Sequence, residues 1–275
     1  MEAYSYYGLK TQGFYVKESD LKFAVLDLLK KDNFDVLVLT GHDSFQANEE
    51  VENNNLTSYR NSYNYLLAVI EARKRYPDKD NLDIRKQSTN FANIPILSND
   101  VKNIFDECEI GSGNIDAFVL APLNSNDFPT ETLKFLNSFD VPIFISLQGF
   151  LRFRGVDGSL ILKLSDNLKT LFEISNTIFM DEREFDIIKS EKFEGPTLVV
   201  TNGSKGSRII DVNGETIKIN AVKCDNIKDA TGSGDTYMAA YISAILNNKS
   251  YQKSGNFASF IASEKLKNFG PYKKL

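Results

Sequence analysis

The segment Asp229-Ala230-Thr231-Gly232-Ser233-Gly234-Asp235 has residue types and spacing suited to chemistry, and it runs straight into the helical pattern Thr236 to Leu246. Two glycines let a backbone turn tightly and approach a ligand, while the start of a helix offers unpaired N–H groups and a positive dipole end. Together they make an anion cradle. A carboxylate inside such a cradle is misplaced unless it acts on something that arrives beside the anion. Asp235 stands where it can take a proton from an attacking hydroxyl, and phosphoryl transfer is the reaction that needs this arrangement. The same letters also describe a glycine turn capped by an aspartate. Gly111-Ser112-Gly113 is such a copy, leading into a strand and carrying no chemistry.

Three further groups stand at the ends of strand-like runs. Thr201-Asn202-Gly203-Ser204-Lys205-Gly206 closes one, and Gln148-Gly149-Phe150-Leu151-Arg152 follows another, where α/β proteins bind ligands. Asp181-Glu182-Arg183-Glu184 offers an acidic pair that suits Mg²⁺ held through water, or two solvated acids at a helix start.

The elements that must position these groups alternate between short β-rich runs and stretches of helical period. This is the pattern of an α/β protein with a mostly parallel sheet flanked by helices. Strands are expected at Gly13 to Val16, Val36 to Thr40, Ala117 to Ala121, Val141 to Leu147, Thr177 to Met180 and Thr197 to Thr201. Asp20 to Lys31 and Ser58 to Tyr76 repeat apolar residues at helical spacing. Arg208 to Val212 and Glu215 to Ile219 flank Asn213-Gly214, which suits a tight hairpin. The Asn-rich stretch Gln46 to Asn55 reads as a surface loop.

Composition excludes several classes. With 42% apolar and 25% charged residues and a net charge of −5, the chain is neither a disordered tail nor a membrane protein. Charges of both signs are interspersed, so no basic stripe offers itself to nucleic acid. Cys108 and Cys224 lie far apart and outside any CxxC pattern, which suggests reduced thiols in a cytoplasmic protein. No export or membrane-anchoring signal is visible. A homodimer is compatible with these features.

Asp229 to Asp235 resembles the D-T-x-G-A-G-D signature of the PfkB (ribokinase-like) carbohydrate kinases, with Ala230 for the usual Thr and Ser233 for the usual Ala. The resemblance implies that Gly232, Ser233 and Gly234 form an anion hole for the transferring phosphoryl group and that Asp235 is the base. Thr201 to Gly206 resembles the family's T-x-G-x-x-G nucleotide loop, which implies that Thr201, Gly203 and Gly206 bind nucleotide. Asp181 and Glu184 match the N-x-x-E motif linked to magnesium, with Asp181 replacing Asn. Gln148 and Arg152 match the Q-G-F-L-R segment of a branch that includes inositol kinases, where both reach the polyol; Ser146 stands where an Asp usually precedes it. Asn256 to Ser263, with Ser259, is similar to the helix that closes over adenine, and an amphipathic core helix reads the same way. ATP, Mg²⁺ and a sugar or polyol substrate are what the resemblance implies, over a ribokinase-like kinase core at residues 89–275.

Residues 1–88 form an atypical α/β segment. The family's usual substrate-binding Asp strand, β lid and GG-x-x-x-N element have no match there. Instead Thr40-Gly41-His42-Asp43 and the helix beginning Tyr59-Arg60-Asn61-Ser62 resemble the YabG sporulation peptidases. In that family the T-G-H-D histidine is thought to work with a downstream cysteine. Here Lys86 falls about where that cysteine would stand, and a lysine cannot replace an activated thiolate. His42 is the chain's one histidine. The seam lies near Arg85 to Asn90, or before Thr89 if Thr89 to Asn93 is a kinase remnant. The first segment either adds strands to one continuous sheet or forms a separate layer. Three functions remain open: a PfkB-type kinase, a YabG-like cysteine peptidase, and an inactive nucleotide-binding protein.

Overall fold

The computed structural model of the chain describes residues 2–4, 10–12, 14–17, 36–40, 96–107, 115–122, 125–154, 160–191, 195–230 and 232–268. Its strands are β1 (Glu2–Tyr4), β2 (Lys10–Gln12), β3 (Phe14–Lys17), β4 (Val36–Thr40), β5 (Ala117–Ala121), β6 (Ile143–Ser146), β7 (Arg152–Arg154), β8 (Leu160–Leu162), β9 (Thr177–Asp181), β10 (Thr197–Thr201), β11 (Ser207–Ile210) and β12 (Thr216–Ile219). The helices are α1 (Ser98–Glu107), α2 (Thr130–Asn137), α3 (Leu168–Ile174), α4 (Glu182–Ile188), α5 (Ser233–Leu246) and α6 (Tyr251–Leu266).

Eight strands form one sheet in the order β12-β11-β10-β9-β6-β5-β4-β3. Neighbours from β3 to β10 run parallel, and β11 and β12 close the edge antiparallel. The fold class read from the sequence is therefore the one observed. Two small antiparallel pairs, β1-β2 and β7-β8, stand apart from the main sheet. Of the two arrangements left open for the first segment, β3 and β4 take the first: β4 pairs parallel with β5, and β3 with β4.

A strand sends successive side chains to opposite faces, so a run that is apolar throughout belongs inside a sheet covered on both sides. All five residues of β5 are buried. Phe118, Leu120, Ile143, Ile145, Ile178, Met180 and Val200 pack with α1 to α4 on one face. Ala117, Val119, Phe144, Phe179 and Val199 pack with α5 and α6 on the other. Each fully buried Leu or Phe contributes roughly 1.5–3 kcal/mol relative to exposure, so this double alternation holds the layers together. Helix α5 is buried from Thr236 to Ala244, which its uniformly apolar sequence requires of a helix lying between a sheet and a second helix.

Some boundaries differ from the sequence reading. Strand β6 is shorter than Val141 to Leu147, and α5 begins at Ser233, so Asp235 lies inside its first turn. The β11-β12 hairpin has a three-residue loop instead of a two-residue turn. Asp211 accepts from the amides of Asn213 and Glu215 through its side chain, and Gly214, at φ 81°, donates to the Asp211 carbonyl. The two expected N-terminal helices, the Asn-rich loop, Gly111 to Gly113, His42, Cys108 and the 88/89 boundary lie outside the described residues. Among the described residues no helix is long and apolar enough to cross a membrane.

Candidate active site

Parallel strands place all their C-terminal ends on one edge. The register aligns Thr40 with Ala121, Ser146 with Phe179 and Asp181 with Thr201. Gln148, Asp181 and the Thr201 to Gly206 loop thus emerge along the same rim of the sheet. Gln148 is half-buried at the start of a 3₁₀ turn, Gly149–Leu151, and Arg152 opens β7 with its carbonyl accepting from the Ser125 amide at 3.1 Å.

The start of α5 is the segment read from the sequence as an anion cradle. Gly232 caps the helix in the left-handed region, at φ 74° and ψ 5°, a conformation that glycine adopts without steric cost. Its carbonyl accepts from the Thr236 amide at 2.9 Å and the Thr236 hydroxyl at 2.7 Å. No side chain caps this helix, and a Cβ placed on Gly232 or Gly234 meets nothing within 4 Å among the described residues. Amides of a first helical turn point out of the helix end and lack intrahelical acceptors. Here the Ser233 amide donates to the Ala230 carbonyl at 3.2 Å, which closes a tight turn at the helix start. Asp235, half-buried, is the third residue of that turn.

The nucleotide-like loop reaches this helix through one contact. The Thr201 hydroxyl donates to the Met180 carbonyl, the Asn202 amide donates to the Gly206 carbonyl at 2.8 Å, and a 3₁₀ turn spans Gly203–Lys205. Gly206, at φ 90°, turns the chain into β11 so tightly that a Cβ would sit 2.2 Å from the Ile219 carbonyl oxygen. The next residue, Ser207, shares a 2.8 Å hydrogen bond with the Tyr237 hydroxyl, two residues beyond Asp235. Burial pushes the Tyr237 hydroxyl up to about 12, against a smaller lowering by the Ser207 bond.

Other candidate residues have structural work. Asp181 and Glu184 form a reciprocal capping box on α4: Asp181 Oδ1 accepts from the Glu184 amide and Glu184 Oε2 from the Asp181 amide, both at 2.8 Å. The D-x-x-E spacing is a capping signature that sequence reading could have recognised. Between them Glu182 grips Arg208 at 2.5 and 2.9 Å, and that guanidinium lies 4.5 Å from the Phe185 ring centre. Among the described residues no group of three or more His, Cys, Asp or Glu could hold a metal. Ser259 is buried, its hydroxyl donating to the Asn220 carbonyl at 2.9 Å and accepting from the Val222 amide at 3.3 Å, so it pins the chain leaving β12. Tyr237 and Lys265, which hold these loops from other elements, were not visible in the motifs. No signal in the sequence pairs residues that far apart.

A mostly parallel sheet with this rim and this helix start is the ribokinase-like kinase fold. A pyrophosphate-dependent kinase in the ribokinase family, complexed with a pyrophosphate analog and myo-inositol, matches with a TM-score of 0.62 at 17% identity, covering 92% of this chain and 87% of that one. Arabidopsis thaliana ribokinase complexed with ribose and ATP matches at 0.52 and 16% identity, covering 91% and 82%. Residues 152–275 match the family model of the pfkB family carbohydrate kinases, and residues 1–87 match that of YabG peptidase U57. Both resemblances read from the motifs are thus found, the kinase match over a shorter stretch that begins at Arg152. The chain is also 31% identical over 106 residues to a nucleoside kinase of Methanocaldococcus jannaschii, which is 35% of this chain. That match spans about a third, 34%, of the relative's length.

Proposed function

We propose that this protein transfers the terminal phosphoryl group of ATP to a hydroxyl of a small polyhydroxy substrate, a sugar, a polyol or a nucleoside. The observation that carries the reading is the start of α5, where among the described residues no side chain caps Gly232, a Cβ on Gly232 or Gly234 would meet nothing within 4 Å, and Asp235 stands in the first turn. In this reading the amides of Gly232 to Gly234 and the helix dipole stabilise the charge of the transferring phosphoryl group. Asp235 accepts the proton of the attacking hydroxyl. Thr201, Gly203 and Gly206 form the loop along the nucleotide, with Ser259 behind the adjoining segment, and Gln148 and Arg152 reach the acceptor.

Mg²⁺ neutralises charge on the donor phosphates when bound. The residues that would hold it are Asp181 and Glu184, through water, because each already gives one oxygen to the capping box. Pyrophosphate is a second donor to test, since the kinase with the bound pyrophosphate analog uses it and an anion cradle reads only phosphates. The peptidase reading has no thiol at the position its family uses, where Lys86 stands.

Calorimetric titration with MgATP and with pyrophosphate, followed by a screen of inositols, nucleosides and hexoses for ADP or phosphate release, tests the proposal. Asp235→Asn is expected to lower turnover by roughly 10²–10⁴-fold while MgATP still binds. Turnover retained in that variant removes the proposed base. Binding without turnover by the unaltered protein makes it an inactive nucleotide-binding protein, and no binding of either donor rejects the reading outright.

A further inference from the structure

Lys265 is 1% exposed, near the end of α6. Its Nζ donates to the Asp229 carbonyl at 2.9 Å and lies 3.4 Å from Asp229 Oδ2, both side chains being almost wholly removed from solvent. The next residue, Leu266, gives its carbonyl to the amides of Lys228 at 2.8 Å and Asp229 at 3.3 Å. The last turn of α6 therefore grips the chain from side chain and backbone at Lys228 and Asp229, three to four residues ahead of Gly232.

Burying an ion pair takes two charges out of water, and a well-packed apolar pair of similar volume is often as stable or more so. Such a pair is thus a poor way to gain stability and a good way to impose one geometry, because two buried charges tolerate no alternative arrangement. The cradle needs that. Gly232 makes no side-chain cap and holds a left-handed conformation, and a Cβ there would meet nothing within 4 Å among the described residues. Within the turn itself, the Ser233 amide on the Ala230 carbonyl and Thr236 on the Gly232 carbonyl hold the backbone, and the approach of the chain to that turn is set from outside it.

We propose that Lys265 is a positioning residue for phosphoryl transfer: through its paired contacts with the carboxylate and carbonyl of Asp229 it fixes the approach of the chain to α5, and with it the aim of the amides at Gly232 to Gly234. The inference rests on the reading of the α5 start as the phosphate site. It adds that the far end of α6, remote in sequence, sets how well that site is organised.

Two variants of the full chain test it. Lys265→Met leaves the Asp229 carboxylate buried without its cation, and the double variant Asp229→Asn with Lys265→Met removes both charges and keeps the fold accessible. Hydrogen exchange read by mass spectrometry is expected to show the hydrogen-bonded amides of Ser233 and Thr236 exchanging at least about 10-fold faster in the double variant, with the β5, β6 and β9 amides unchanged. Where the unaltered protein turns over MgATP, the double variant is expected to lose about 10–100-fold in kcat with the acceptor KM unchanged, the penalty of a misaimed cradle. Exchange at Ser233 and Thr236 equal to the unaltered protein overturns the proposal. So does faster exchange spread evenly over the core, which marks Lys265 as merely structural. Failure of the unaltered protein to bind MgATP or pyrophosphate rejects the functional reading alone, and the exchange result still decides whether Lys265 orders this loop.

Discussion

Two glycines three residues apart in the Thr201 to Gly206 loop face opposite circumstances, and alanine at each should separate them. Gly203 has φ 52° and open space around it, so an added methyl meets no neighbour. Its penalty is the left-handed backbone alone, about 1–2 kcal/mol, offset by about 0.4–1 kcal/mol because alanine restricts the unfolded chain. The net loss is about 0.5–1 kcal/mol. Gly206 combines φ 90° with ψ −146°, a region that side chains avoid at about 1–3 kcal/mol. Its Cβ would also sit 2.2 Å from the Ile219 carbonyl oxygen and 3.0 Å from the Ala221 amide nitrogen, both backbone atoms at the end of β12. Relieving that overlap requires β11 and β12 to separate where Ser207 pairs with Ile219. The expected total is about 3–5 kcal/mol, a large part of a stability of about 5–15 kcal/mol. With about 2–4 °C per kcal/mol for a chain of this size class, Gly206→Ala should lower Tm by about 6–20 °C and Gly203→Ala by about 1–4 °C. The chain has no tryptophan, so amide circular dichroism or calorimetry is the measurement. Equal Tm values for the two variants would refute the contact argument, because backbone conformation alone would then account for both.

Three further outcomes are expected. The Tyr241 hydroxyl is buried without a hydrogen-bond partner among the described residues, while its ring packs edge-on to Phe179 at 5.4 Å. Tyr241→Phe should therefore stabilise by about 1 kcal/mol, and a denaturant midpoint that falls instead means the hydroxyl has a partner. Burial raises the Tyr237 hydroxyl from 10.0 to about 12 and also raises Tyr241. The unfolded chain thus ionises first, so stability is fully present below pH 10.0, falls as pH rises and is lost through about 12; Tyr237→Phe should flatten part of that decline in unfolding curves taken across this window. At the α4 cap, Asp181→Ala should cost about 0.5–2 kcal/mol and Asp181→Asn much less, since Asn also caps. If Asp181→Asn keeps its Tm but needs more Mg²⁺ for turnover, the residue serves both cap and metal.

The sheet was legible because its strands are long apolar β runs: Val36–Thr40, Ala117–Ala121 and Thr197–Thr201 appear with the bounds read from sequence. Strand β6 came out shorter because its flanks, Val141 and Leu147, are as apolar as the strand itself, and apolar periodicity alone cannot place such an end. The hairpin loop was misjudged because Asp211 takes the Asn213 and Glu215 amides through its side chain and so lengthens the turn beyond Asn213-Gly214. Asp181 and Glu184 were read either as metal-side acids or as solvated acids at a helix start; they do stand at a helix start, where they cap it reciprocally.

Local chemistry was settled along the chain. The glycines at 232 and 234, the carboxylate at 235 and the apolar run behind them specify a tight turn feeding a buried helix, whatever surrounds it. What surrounds it came from three dimensions: Ser207 against Tyr237 across 30 residues, Lys265 against Asp229 across 36, and Arg208 against Glu182 across 26. Those partners are polar groups on different elements, and backbone periodicity carries no information about which of them will meet. Only the packing of helices on the sheet brings them within hydrogen-bond reach, because burying the apolar faces carries the polar groups beside them into contact.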